Sequence, residues 1–345
     1  MNLRCLQIAQ VERRNLLNRT HLPLIPEAVL RRHKVHESFD NRFRACARLL
    51  QALWRAETEI PIGTHTAHDG TSRKLGSRIS DTAGQAGRNF MSTDVARLAW
   101  REFAYREPGS MIDEHRLWTN ALSSQPLTLN VMGPLRLDTK LATKVLGAIC
   151  PDLTDATVDA VLFEHSPGRR VESLTQDRTA WDAVITYVRE TGETGFVALE
   201  FKYTETCGER QKELRSRYDE LIPATGLFID PAAVELRGPP LQQLMREHVL
   251  AQATIMRGDH SEGRFIVVAP ALNQPVQDAC ARYAANLAPP SEGKAGFAVI
   301  TLESFIAALG EQGDEAYAAS LYRRYCDWSL IDDEIEANFA MRSAR

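Results

Sequence analysis

The chain has 345 residues, a net charge of −4, 44% hydrophobic and 25% charged residues. This is enough for one large or two modest domains of ordinary globular composition, and it excludes a globally basic nucleic-acid-binding protein, so any such surface must be a local patch. No apolar run approaches membrane-spanning length, and the first ten residues lack a signal peptide's apolar core. Six cysteines (5, 46, 150, 207, 280 and 326) show no Cys-x-x-Cys spacing, which argues against a zinc ribbon and for free thiols in a reducing cytoplasm.

In chain order, residues 41–58 read as an amphipathic helix. Phe43, Cys46, Ala47, Leu50, Leu53 and Trp54 recur at helical spacing, with Arg42, Arg44, Arg48 and Arg55 mostly opposite. The polar stretch from Pro61 to Arg88 carries glycines at 63, 70, 76, 84 and 87 and shows no period. It reads as a long loop or mobile segment. His65 and His68 within it would need a helix to share a face, so a loop is preferred to a metal site. A helix follows Ser92 or Thr93, with Asp94 in its first turn and Val95, Leu98, Ala99 and Phe103 inward. Residues 112–121 read as a third, short helix.

The organisation then changes. Residues 138–150 read as a short helix, and 158–164 as a strand or a helical extension. Strands over 180–189 and 195–203 are joined by the hairpin-like Glu190–Thr194. A helix over 241–256, strands over 264–270 and 296–301, a helix from Leu302 and a last helix over 314–328 follow. No internal repeat appears.

The second strand of the 180–203 pair is the most informative stretch. Side chains alternate along a strand, so Glu200 and Lys202 share one face, while Val197, Leu199, Phe201 and Tyr203 form an apolar one. Burying a carboxylate and an ammonium is costly unless they pair or bind an ion. Asp182 stands on the preceding strand.

Asp182 followed by Glu200-x-Lys202 resembles the PD-(D/E)XK nuclease superfamily. The run Phe163-Glu-His-Ser-Pro-Gly-Arg169, then Arg178-Thr-Ala-Trp-Asp182, then Leu199-Glu-Phe-Lys-Tyr203, is similar to a narrower family of restriction endonucleases within it, as is Leu122–Leu127. The likeness is carried by residues 122–270. Trp181 stands where the motif's proline would precede Asp182.

The resemblance implies an α/β protein with a restriction-endonuclease-like core, a mixed β-sheet flanked by helices in the order αβββαβ, behind a mainly helical N-terminal region. We expect residues 1–121 to form that region, 122–310 the core and 311–345 a C-terminal helical extension. The implied activity is metal-dependent hydrolysis of DNA phosphodiester bonds, in restriction or anti-phage defence. Asp182 and Glu200 would hold Mg2+, with Mn2+ able to substitute, Glu164 as a further carboxylate and the Phe201 carbonyl as another ligand. Magnesium takes oxygen donors and keeps several waters. Lys202 would sit beside the attacking water; the alternative is a salt bridge to Asp182 or Glu200. Glu164 otherwise reads as a turn-stabilising carboxylate, and His165 as a hydrogen-bonded structural group.

Arg169, Arg170 and Arg178 could reach phosphates, or belong to a solvated turn. Arg210 and Lys212, in the interleaved run from Glu209 to Tyr218, could track a nucleic-acid backbone or form a solvated helix face, and on the next helix Gln243 (or Gln242) with Arg246 stands where the resemblance implies polar residues lining the site and contacting nucleic acid. No Walker-type loop, nucleophile elbow or dinucleotide fingerprint is present. Expected partners are nucleic acid, DNA before RNA, a second copy of the chain and further defence-system subunits, with no membrane. The alternatives are an RNA-directed nuclease and a non-catalytic nucleic-acid-binding or interaction module that keeps the fold.

Overall fold

A computed structural model of the chain describes residues 21–67, 69–208 and 213–343. Cys5, His68, Arg210 and Lys212 lie outside the described residues. The chain divides into two compact units, one from Met1–Arg97, Asp113–Pro126 and Leu309–Arg345, the other from Leu98–Ile112 and Leu127–Ala308. In chain order the elements are α1 (Glu27–Arg32), α2 (Arg42–Glu57), β1 (Ile62–Thr66), β2 (Ser72–Ile79), α3 (Asp81–Gln85), α4 (Thr93–Ala104), α5 (Glu114–Thr119), α6 (Ser124–Leu137) and α7 (Thr139–Ile149). Then come β3 (Ala156–His165), β4 (Trp181–Arg189), β5 (Thr194–Phe201), α8 (Arg217–Thr225), α9 (Gln242–Arg257), β6 (Glu262–Ala269), α10 (Gln274–Ala284), β7 (Gly296–Thr301), α11 (Leu302–Gln312), α12 (Glu315–Tyr325) and α13 (Ser329–Ser343).

The first unit is built on α2, whose first turn is capped by Asn41 accepting from the Arg44 N–H at 2.8 Å. Its apolar stripe packs against β2, α12 and α13. The buried Arg324 stacks on Trp54 at 3.7 Å and donates to Gln51 and Asn89. The region expected as a loop over Pro61–Arg88 is instead an antiparallel hairpin of β1 and β2 followed by α3. A side chain at Gly63 would collide with the Ile79 carbonyl, and one at Gly76 with the His33 carbonyl. These glycines therefore mark close backbone approach, not mobility.

The second unit holds a five-stranded sheet in the order β3-β4-β5-β6-β7. The first three strands are antiparallel and the last three parallel. The run 158–164, ambiguous in sequence, is a strand. The β4–β5 connection is a tight hairpin, whereas β5 and β6 are parallel and need a crossover, which α9 supplies. The order α7, β3, β4, β5, α9, β6 is the αβββαβ order expected, with α8 inserted before α9. On one sheet face Val184, Phe196, Ala198, Phe265 and Val267 pack in one buried cluster with Leu244, Met245 and Val249 of α9.

Three further helices carry prolines that obscured them: Pro134 within α6, Pro223 within α8 and Pro275 in the first turn of α10. In a first turn the missing N–H has no helical partner to lose, so Pro275 starts the helix. The single last helix expected over 314–328 ends at Tyr325. It breaks at Asp327, which accepts from the Ser329 hydroxyl at 2.5 Å, and α13 follows.

Candidate active site

The α9-facing side chains of β5 run Phe196, Ala198, Glu200, so the apolar face turns acidic at the strand's carboxyl end, with Lys202 just beyond. Between the paired residues Phe163↔Ala183 and His165↔Trp181, Glu164 stands opposite Asp182. One step past Ala183↔Leu199, Asp182 comes beside Glu200. Opposed residues of antiparallel strands point to the same face. Glu164, Asp182 and Glu200 therefore form one row across three strands, and all three line a single cleft of about 680 Å³.

Glu200 and Lys202 are each 5% exposed. The Lys202 Nζ lies 2.7 Å from Glu200 Oε1 and donates to Gln243 Oε1 at 2.8 Å. The Gln243 amide nitrogen donates to Glu200 Oε1 at 2.7 Å and to Glu247 Oε1 at 2.9 Å. Asp182 Oδ2 accepts from the Phe201 N–H at 2.8 Å, and Phe201 is itself fully buried beside Phe305.

Burial, with Glu200 and Glu164 beside it, pushes the Asp182 carboxyl well above the usual carboxylate range. Burial and Glu200 do the same to Glu247. Burial works against the Lys202 ammonium, but Glu200, Cys207, Glu247 and Glu205 outweigh it and raise its pKa well above the ordinary lysine value. The acidic neighbours thus favour the charged form of Lys202.

Glu164 takes a left-handed backbone, φ 46°, which costs a non-glycine residue about 1–2 kcal/mol. The local bonds hold it there. Arg169 donates both to the Glu164 carbonyl and to Glu107. His165 Nδ1 donates to the other Glu107 oxygen at 2.5 Å, and the Ser166 N–H adds a bond at 3.3 Å. Burial works against the Glu107 carboxylate, yet His165 and Arg169 hold its pKa below the usual range. Arg169 and His165 are therefore engaged in fastening the end of β3.

Arg170, Arg178 and Arg246 line the cleft, as does Arg215. The loop bearing Arg170 and Arg178 is organised by Asp177. One of its oxygens accepts from the Thr175 hydroxyl at 2.8 Å and the Thr179 N–H at 3.0 Å, the other from the Tyr218 hydroxyl at 2.9 Å. The Arg170 N–H donates to its carbonyl at 2.6 Å. Arg246 lies 3.7 Å from Asp177, 5.7 Å over the Tyr218 ring, and donates to the Glu213 carbonyl at 3.1 Å.

The structure thus gathers Asp182, Glu200, Lys202, Glu164, Gln243 and three of the expected arginines. Sequence reasoning missed Glu247, Glu107 and Asp177. Only Glu247 left a signal, standing four residues after Gln243 and so on the same helical face.

Among the described residues, no three His, Cys, Asp or Glu side chains are grouped as a ready metal site. The donors nevertheless fit a hard divalent cation in kind. They are all oxygens, and the raised Asp182 carboxyl is that of an acidic row with too little positive charge beside it.

A mixed sheet with Asp182 at the start of β4 beside Glu200 and Lys202 at the carboxyl end of the central strand β5 defines a recognisable class of fold and site. A sequence profile of the PD-(D/E)XK nuclease superfamily matches residues 38–327, most of the chain, and the chain belongs to that superfamily. Membership suggests a nuclease, and such enzymes typically use divalent metal ions. No curated protein and no solved structure matched the chain. Among the described residues, no helix is long and apolar enough to cross a membrane.

Proposed function

We propose that the chain is a metal-dependent endonuclease hydrolysing phosphodiester bonds in DNA, with a role in restriction or anti-phage defence. The observation that carries this reading is the carboxylate row Glu164–Asp182–Glu200, open to a cleft, with the charged Lys202 against Glu200. In this reading residues 122–310 are the catalytic core, and 1–121 serve target recognition or packing.

Asp182, Glu200 and Glu164, with the Phe201 carbonyl, would hold Mg2+ or Mn2+. When bound, the cation supplies a Lewis acid and a water of lowered pKa at neutral pH. Lys202 aims an N–H at the attacking water and balances negative charge growing on the phosphoryl oxygens. Arg170, Arg178 and Arg246 fix the phosphate backbone beside the row, without reading bases. Arg210 and Lys212, outside the described residues, are further candidates for phosphate contact by residue type. A homodimer would bring two such centres to the duplex, one for each strand.

Plasmid and oligonucleotide cleavage tests the reading, with Mg2+, Mn2+ or chelator and matched DNA and RNA. Wild type should cut DNA only with metal, and Lys202→Ala should bind DNA without cutting it. Cutting by Lys202→Ala at the wild-type rate would remove the mechanism. Cutting of RNA alone would change the substrate.

A further inference from the structure

Gln243 and Glu247 stand one helical turn apart on the face of α9 that looks onto the acidic row. The Gln243 amide has one acceptor oxygen and two N–H donors, and each is matched to a buried partner. The oxygen accepts from Lys202, and the nitrogen donates to Glu200 and to Glu247. A flipped amide would turn its N–H groups toward the ammonium and its oxygen toward two carboxylates. Only one orientation therefore satisfies all three contacts. Glu247 is the partner whose own position is fixed independently of Lys202. Its side chain is buried, and its backbone carbonyl accepts from the Trp181 indole N–H at 3.1 Å. That bond ties this turn of α9 to the strand residue just before Asp182. The second Glu247 oxygen, Oε2, is buried and has no hydrogen-bond partner in the protein. A buried carboxyl oxygen left without a partner is costly, and packing of apolar residues does not explain it.

We infer that Glu247 is a positioning residue of the site: through the Gln243 amide it sets where the Lys202 ammonium and the Glu200 carboxylate stand. Gln243, whose oxygen and both N–H groups are engaged within the site, serves this clamp rather than contacting nucleic-acid bases. The inference deepens the proposed function and rests on it for the catalytic consequence. The clamp itself does not depend on that reading.

The test compares wild type, Glu247→Ala and Glu247→Gln in two measurements. The first is cleavage of a DNA oligonucleotide under Mg2+ titration. Glu247→Ala should lower kcat by about 10–100-fold, the range for residues that orient a catalytic centre, with KM for DNA unchanged. Glu247→Gln keeps an oxygen that accepts from Gln243 and should recover most of that loss. The Mg2+ concentration for half activity should not change between wild type and Glu247→Gln. A Gln variant as poor as the Ala variant, or one needing far more Mg2+, would make Glu247 a metal ligand and overturn the positioning role. The second measurement is acetylation of Lys202 in the metal-free protein, read by mass spectrometry against Lys140 and Lys144. Lys202 should be protected in wild type and Glu247→Gln, and labelled at least about tenfold faster in Glu247→Ala, the effect of losing one ordinary hydrogen bond. Equal labelling in all three would overturn the clamp. If wild type cuts nothing, the nuclease reading fails while the labelling still decides the clamp.

Discussion

Replacing Lys202 by Met removes one charge from a buried cluster while nearly keeping the side chain's length. In the wild type the ammonium sits 2.7 Å from Glu200 Oε1, and both residues are 5% exposed. The variant leaves Glu164, Asp182, Glu200 and Glu247 on one cleft without the ammonium among them. Removing one partner of a buried ion pair costs roughly 3–5 kcal/mol. Gln243 still donates to Glu200, so about 3 kcal/mol, the lower end, is expected in chelator. The double variant Lys202→Met/Glu200→Gln should recover at least about 1.5 kcal/mol of this, because the orphaned charge is gone. A divalent cation on the carboxylates should narrow the single variant's deficit. At a hundred times its Kd it adds about 2.7 kcal/mol to a protein that binds it only when folded. The assay is urea unfolding followed by tryptophan fluorescence, in EDTA and in Mn2+, beside plasmid nicking. Nicking should fall at least about 100-fold. A variant within about 0.5 kcal/mol of wild type in EDTA would refute the ion-pair argument.

Asp182→Asn keeps an oxygen for the Phe201 N–H and relieves crowding with Glu200 and Glu164. It should stabilise the metal-free protein by roughly 1 kcal/mol while abolishing cleavage; a destabilised, active variant would contradict the acidic-row reading. His248 is buried between the Tyr283 hydroxyl and the Ala295 carbonyl, and burial depresses its pKa from 6.5 to about 4. The unfolded chain takes up this proton below pH 6.5 and the folded one does not until about pH 4, so stability is full above that window and falls as pH drops through it. The loss is about 3 kcal/mol, seen as a urea midpoint that falls further in wild type than in His248→Gln; equal falls would exclude His248 as a source. Asp177→Ala should loosen the loop bearing Arg170 and Arg178, weakening DNA binding with kcat kept, whereas Arg178→Ala should reduce the salt slope of binding by about 1. Fluorescence anisotropy across salt concentrations measures both, and a kcat loss in Asp177→Ala with binding intact would sink the rim assignment.

The chemistry-bearing strand was legible because alternation in a strand is fixed by geometry. Once 195–203 reads as a strand, Glu200 and Lys202 must share a face, whatever the fold. What sequence does not carry is register. That Glu164 meets Asp182 depends on how two strands slide against each other, and a one-residue slip would send Glu164 to the opposite face. The hairpin of β1 and β2 was hidden because glycine serves both mobile chain and tight backbone contact, and only the neighbours at Ile79 and His33 separate the two. Helices α6, α8 and α10 were hidden by prolines whose cost depends on their place within the helix.

The arginines show why residue type alone stops short of a site. Arg169 and Arg178 are the same side chain, nine positions apart, on one connection between β3 and β4. Arg169 is half-buried and fastened to Glu107 and the Glu164 carbonyl, while Arg178 is exposed on the cleft. The difference is set by Glu107, which lies more than fifty residues earlier in the chain and carries no local signal. A charged residue near a motif becomes a support or a contact according to which opposite charge the fold delivers to it. Glu107 and Glu247 are both such deliveries. One fixes the backbone of Glu164 and the other the orientation of Gln243, so the carboxylate row and its lysine are held by acids that do not belong to the motif.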